Sequence, residues 1–316
     1  MRILGFFHGY PPEHNAGAEY MLHAVNKFLV SMGHEVFVLS KMHKKADTVI
    51  DGVKVLQYNN DNFKYFNHCD VVFSHLDFEG DCINRTRQRQ KKMVSFLHND
   101  YRRAAHQKQY IMIVHNSIWM WKKLDLKQRY QCVLPPPVFE EDYRVKVNKN
   151  ARYITLANVT ENKGGSILVE LAKRMPQYKF LGVKGAYGDQ VVAKDIPNLK
   201  YINNTPDMRK IYKQSKIVIM PSSYESWGRV ATEAICSGIP VIAHPTDGLK
   251  ENLGDAGLFA NRNNLDEWVD YIEKLMTDKE YYDRTSEICL ARYQELNPYK
   301  HLEFFERKLT AYVASI

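Results

Sequence analysis

Short apolar runs alternate with amphipathic stretches along almost the whole chain. Residues 2–7, 35–39, 53–58, 71–74, 93–97 and 110–114 are runs of the length and β-branched or aromatic character that buried strands require. Between the first two, Met21, Leu22, Val25, Phe28 and Leu29 recur at helical spacing over residues 18–32, and Gly33 follows as a stop. Strand, polar loop, helix and strand in that order predict a βαβ unit with the loop at the ligand edge of a parallel sheet. No G-x-G-x-x-G accompanies it, so a dinucleotide fingerprint is excluded.

The same rhythm returns later. Strands are predicted at residues 153–157, 178–182, 199–202, 216–220 and 240–243, with helices to about residue 174, near 208–214 and from about Gly228. From Leu265 onward the pattern is helical, over residues 265–276, 280–295 and 301–313. The last of these carries an apolar stripe of Leu302, Phe305, Leu309, Tyr312 and Val313 that must pack on something. Between the two rhythms, Val133-Leu-Pro-Pro-Pro-Val138 can continue neither a helix nor a central strand, so it marks a stiff connector. The predicted class is α/β, with domains at residues 1–137 and 138–297.

A chain of 316 residues, 45% hydrophobic and 25% charged, suffices for two globular cores. Five cysteines without C-x-x-C spacing argue against a disulfide framework or a zinc cluster. With no run long enough to span a bilayer and residues 1–7 reading as a strand, the expected location is the cytoplasm. Charge changes the picture more. Residues 1–150 hold 22 Lys and Arg against 15 Asp and Glu, whereas residues 151–316 hold 22 against 21. Nearly the whole formal excess of +8 therefore sits in the first half, which points to an acidic partner there.

Candidate chemistry concentrates between Met220 and Ala243. Glu225 falls in the loop after a predicted strand, and Glu233 falls eight positions later inside a helix that begins near Gly228. Unpaired N–H groups at a helix start favour an anion. Lys163-Gly-Gly165, after one strand and before a helix, has the make-up of a phosphate cradle. Together these predict a site for a phosphorylated, hydroxyl-rich ligand. In the first half, polar tips follow three strands, at His75, at His98-Asn-Asp100 and at His115-Asn-Ser117. Turn chemistry or capping is the expected role of His75 and His115.

These residues form a pattern that resembles the retaining glycosyltransferases of family 4. Pro221, Ser222, Glu225, Gly228, Glu233, Gly238, Pro240, Val241 and Ala243 meet the family's E-x7-E motif and its flanks. Pro11-Pro12, residues 16–19, residues 33–36, His98 and Lys163-Gly164 also match. The resemblance implies a GT-B fold, two Rossmann-like domains facing across a cleft, with residues 298–316 as a helix crossing back to the first domain. It implies that the second domain takes a nucleotide-diphosphate sugar, with Glu233 on the ribose hydroxyls and Glu225 at the transferred sugar. Lys163 and backbone N–H groups near Gly228 and Gly17 would stabilise the leaving diphosphate. Asn158, Gly164, Ser226 and Trp227 complete the donor set, and His98 would meet the sugar or acceptor hydroxyl. Neither cofactor nor metal is implied, and no Asp-x-Asp occurs. The family commonly has Gly-Arg where this chain has Ala157 and Asn158, so one phosphate-binding cation is missing. Its paired glycines in the first loop are here Ala16 and Gly17.

For the acceptor, the segment from Arg85 to Arg129 supplies the lead. It holds Arg85, Arg87, Arg89, Lys91, Lys92, Arg102, Arg103, Lys108, Lys122, Lys123, Lys127 and Arg129 against Asp100 and Asp125, with Tyr101, Trp119, Trp121 and Tyr130 interleaved. Arg85, Arg87, Arg89, Arg102, Arg103, Trp119, Trp121, Lys122 and Lys123 are the expected acceptor contacts. A polyanion is expected, DNA with a hydroxymethylated base being placed ahead of a lipid-linked or phosphorylated envelope saccharide at an anionic membrane. In the second case the protein would be peripheral on the inner membrane. A non-catalytic nucleotide- or DNA-binding protein of the same fold is the reading from another class. Nothing in the sequence calls for an obligate protein partner.

Overall fold

The structure is a computed structural model that describes residues 1–100, 110–146 and 150–315. The chain divides into two compact units, Met1–Pro137 with Pro298–Ile316, and Val138–Asn297.

The first unit is built on an eight-stranded sheet. Its elements are β1 (Arg2–Phe7), α1 (Gly17–Ser31), β2 (Glu35–Ser40), β3 (Thr48–Ile50), β4 (Val53–Leu56), α2 (Tyr65–His68), β5 (Val71–His75), α3 (Glu79–Gln88), β6 (Lys92–Leu97), β7 (Ile111–His115), α4 (Ile118–Leu124) and β8 (Gln131–Val133). The strand order is β3-β4-β2-β1-β5-β6-β7-β8, and every pairing is parallel except β3 with β4. The central strands are apolar on both faces, as a sheet covered by helices on both sides demands. The order reverses at β1, so the loops after β1 and β5 flank a crevice at the carboxyl edge. Strand β3 and helix α3 carry too little apolar periodicity to be predicted: β3 is an exposed edge, and α3 buries Cys82, Ile83 and Thr86 under a polar face.

The second unit contains α5 (Glu140–Tyr143), β9 (Tyr153–Ala157), α6 (Gly165–Arg174), β10 (Lys179–Val183), β11 (Leu199–Ile202), α7 (Arg209–Tyr212), β12 (Ser215–Met220), α8 (Arg229–Ile235), β13 (Val241–Ala243), α9 (Asp247–Leu253), β14 (Gly257–Phe259), α10 (Leu265–Thr277) and α11 (Lys279–Leu296). Its six strands run β11-β10-β9-β12-β13-β14, all parallel. Here the order reverses between β9 and β12, which places the Lys163 loop and the Glu225 loop side by side. Strand β14 and helix α9 lie beyond the elements expected from the pattern.

Helix α12 (Pro298–Ala314) returns to the first unit. It begins at Pro298, earlier than the apolar stripe suggests, because proline suits the first helical position, where no N–H is needed. Phe305 packs on Phe73 and Phe96 with ring centroids 6.2 and 5.8 Å apart. The Tyr312 hydroxyl donates to the Met93 carbonyl at 3.0 Å, and Lys92 Nζ donates to the Tyr312 carbonyl at 2.6 Å, so a lysine from β6 caps the helix end. All five cysteines are free and buried, which fits a packing role.

Candidate donor site at the carboxyl edge of the second sheet

The turn after β9 is shaped to meet the loop after β12. Asn158 and Gly164 both have left-handed backbone, at φ +69° and +94°, and Gly164 lies so close to the Pro221 ring that a β-carbon there would collide with it. Ser223 N donates to the Asn162 carbonyl at 2.8 Å and stitches the two loops together. The result is a contact between residues 62 positions apart: Lys163 Nζ lies 2.5 Å from Glu225 Oε1, and Ser222 Oγ donates to the same oxygen at 2.9 Å. The Glu225 side chain is 12% exposed and the Lys163 side chain 31%, so the pair is sheltered but reachable.

Gly228 (φ +83°) turns the chain into α8, and a β-carbon there would fall 2.5 Å from Leu249 Cδ2. Trp227, expected at the donor, has a buried side chain that supports this loop. Its Nε1 donates to Thr232 Oγ1 at 3.2 Å, and Asn252 Nδ2 donates to the carbonyls of Trp227 and Gly228 at 3.0 Å. Ser226 stays half-buried beside it. Asn158 accepts from Thr160 N at 3.2 Å through its side chain, so it shapes the turn and brings no charge to it.

One turn into α8, Glu233 is buried. Its Oε1 lies 3.3 Å from Arg229 Nη1, and its Oε2 accepts from the Tyr212 hydroxyl at 2.7 Å. Burial pushes the Glu233 carboxyl above the usual range, while the Arg229 charge and the Tyr212 hydrogen bond pull it back. Arg229 was not anticipated from the sequence. The signal that could have found it is the i,i+4 spacing of Arg229 and Glu233 on one helix face.

In the first unit, Gly17 is exposed at the start of α1. His98 follows β6, with its Nε2 buried and without a hydrogen-bond partner. Desolvation pushes its pKa down to about 4 although Glu79 opposes the shift, so the ring is neutral at physiological pH and able to bond a hydroxyl. The His75 ring stands against it edge to face at 5.2 Å.

The basic segment is more engaged than its composition suggests. Arg85 pairs with Asp81 at 2.9 Å and lies 4.3 Å over the Phe63 ring. Arg89 donates to the Arg85 carbonyl at 3.2 Å and lies over Phe66. Lys91 caps the Cys69 carbonyl at 2.9 Å, and Lys123 pairs with Asp100 at 2.6 Å. Arg87, Trp121 and Lys122 are exposed, and Trp119 packs partly against the core of the first unit. Arg102, Arg103, Tyr101 and Lys108 lie outside the described residues. Among the described residues no cluster of three His, Cys, Asp or Glu side chains is arranged to hold a metal ion, and no helix is long and apolar enough to cross a membrane.

Two α/β units of this topology make a GT-B fold, and residues 140–289 of the second match the model of the family described as glycosyl transferases group 1. Particular relatives follow from that class. Over 132 residues the chain is 30% identical to a D-inositol 3-phosphate glycosyltransferase of Mycobacteroides abscessus, covering 37% of this chain and 30% of that protein. Over 96 residues it is 32% identical to the O-antigen chain mannosyltransferase B of Escherichia coli, covering 30% and 24% respectively. The chain spans about a third or less of the length of the curated relatives it matches. Among solved structures, Anabaena HepE in complex with UDP and glucose superposes with a TM-score of 0.79 at 15% identity, over 98% of this chain and 100% of that one. The sucrose-phosphate synthase of Thermosynechococcus elongatus gives 0.80 at 14% identity over the whole of both chains.

Proposed function

We propose that the protein is a retaining, metal-independent glycosyltransferase that moves a hexosyl or pentosyl group from a nucleotide-diphosphate sugar to an acceptor hydroxyl. The observation that carries this reading is the Lys163–Glu225–Ser222 cluster at the β9/β12 switch point. A cation beside a carboxylate suits a ligand whose phosphates take the cation while its hydroxyls donate to the carboxylate. Lys163, with backbone N–H groups near Gly228, would offset the charge growing on the departing diphosphate, worth about 2–4 kcal/mol in the transition state. Glu225 orients the transferred sugar, Glu233 takes the ribose hydroxyls, and His98 bonds the sugar or acceptor hydroxyl as a neutral imidazole. HepE bound to UDP and glucose, a protein of the same fold, supports the donor class.

On the acceptor side the observations alter the weighting. Arg85, Arg89, Lys91 and Lys123 are bound into their own framework, so the charge of the segment is not all available to phosphates. A phosphorylated or lipid-linked saccharide needs fewer free cations than a DNA duplex and is the reading we place first, supported by the named activities of the sequence relatives. DNA carrying a hydroxymethylated base is the second. Cytoplasmic placement, peripheral on the membrane for a lipid-linked acceptor, follows from the same reading.

The test is mass spectrometry after incubating the protein with mixed nucleotide sugars and both acceptors, alongside Glu225→Ala. Transfer by the wild type alone is expected. Equal inertness of the two proteins toward every donor would remove the enzyme reading, and mass added only to DNA would restore the other acceptor.

A further inference from the structure

The first residue of α8 is an arginine whose side chain is only 10% exposed. Both features are unfavourable on their own: a cation at a helix start opposes the macrodipole, and a guanidinium removed from water is costly unless its neighbours satisfy it. The neighbours are specific. Nη1 lies 3.3 Å from Glu233 Oε1, Nη2 donates to the Tyr143 hydroxyl at 2.9 Å, and the guanidinium lies 5.0 Å over the Tyr143 ring. On the other side Tyr212 donates to Glu233 Oε2. The carboxylate is thus gripped at both oxygens, by its own helix and by α7, and cannot rotate without breaking one of these bonds.

We propose that Arg229 is a positioning residue for donor recognition, holding Glu233 ionised and fixed so that its remaining lone pairs take the vicinal diol of a nucleoside ribose. This rests on the assignment of Glu233 to the ribose made above. An ionised carboxylate has about four acceptor sites. Arg229 and Tyr212 occupy two, which leaves two for two hydroxyls. Stability alone explains the arrangement poorly, because a buried ion pair typically gains little over well-packed apolar residues. Burial raises the Glu233 pKa, and the Arg229 charge is the larger of the two influences that lower it. Without Arg229 the carboxyl would take up its proton at a higher pH and lose acceptor capacity as it does so.

Calorimetry tests this with whichever of UDP, GDP and ADP binds, and with the 2′,3′-dideoxy form of the same nucleotide. The ratio of the two dissociation constants, the diol factor, is expected to be about 10–100 in the wild type, the worth of one or two hydrogen bonds to a charged group. In Arg229→Met it should fall to within about threefold of unity, with the dideoxy nucleotide bound as before, and Arg229→Lys should restore part of it. The loss in Arg229→Met should deepen as pH falls from 8.5 to 6. An unchanged diol factor, or equal weakening of both nucleotides, would overturn the positioning role. Should Arg229→Met fail to fold, Tyr143→Phe removes only the hydroxyl that holds Nη2, and a diol factor unaltered in it would count equally against the proposal. Glu233→Gln separates the two levels: a wild-type diol factor there would end the ribose assignment itself, whereas its loss in Glu233→Gln but not in Arg229→Met would end only the role of Arg229.

Discussion

The carboxyl edges of the two sheets are built from the same topology and do different things with polar residues. In the second unit charges of opposite sign converge, Lys163 and Glu225 from two separate loops and Arg229 and Glu233 across one turn of α8. In the first unit the carboxyl edge carries neutral imidazoles at His75 and His98, and several cations of the basic segment are tied to carbonyls, carboxylates or rings of their own framework, Lys91 among them at the opposite, amino edge. Convergence of side chains from distant segments marks a site, whereas a run of like charge does not. Removing a convergent charge should therefore alter ligand handling, and removing a framework cation should alter stability.

The largest effect is expected at Glu225. Glu225→Ala should lower kcat by about 100-fold or more with the unfolding midpoint within about 3 °C of wild type, measured by donor turnover and thermal melting. Near-normal turnover would place the chemistry elsewhere. Next is the turn that brings Lys163 to Glu225: Gly164→Ala forces a β-carbon into Pro221 at a left-handed φ and should cost about 2–4 kcal/mol in denaturant unfolding. A cost under about 0.5 kcal/mol would mean that the two loops are not clamped together as described.

Acid should act on the first unit. His98 has its pKa pushed down to about 4 by burial, and burial, then the neighbouring His98, His14 and His8, keep His75 well below its usual range. Both imidazoles are thus neutral when folded, yet take protons when unfolded below about pH 6.5. Protons then bind the unfolded chain preferentially, so stability falls as pH drops from about 6.5 toward 4. Unfolding midpoints from pH 7 to 4.5 should decline less steeply in His98→Gln than in the wild type, and parallel curves would show that His98 is not enclosed.

The smallest effects separate framework from surface. Arg85→Ala removes a cation held over Phe63 and paired with Asp81, and should cost about 1–2 kcal/mol of stability. Arg87→Ala should stay within about 0.5 kcal/mol. Equal costs would erase the distinction drawn between the two residues.

How much of this was legible follows the same divide. Buried parallel strands announce themselves through continuous apolar runs, so β1, β2, β9 and β12 were readable to within a residue or two, and the stripe on α12 was readable as a packing face. The short polar-faced α3 and the exposed β3 bury too little to leave a pattern. Within the candidate site, Glu225, Glu233 and Lys163 were recognisable from their motif. The inward turn of Trp227 was not, since Thr232 and Asn252 become its partners only after α8 and α9 pack together. The Arg85 stack failed in the same way, because Phe6, Phe63 and Phe66 are assembled from three separate elements. Spacing reveals partners one helical turn apart, and it is silent on those that only the fold supplies.

The most direct measurement is calorimetric titration of UDP, GDP and ADP into the wild type and Lys163→Ala. One of the three should bind the wild type, and about 10–100-fold more weakly once the lysine that would hold its phosphates is gone. If none binds, or the nucleotide that binds does so equally well without Lys163, the β9/β12 edge is not a donor site and the account fails at its centre.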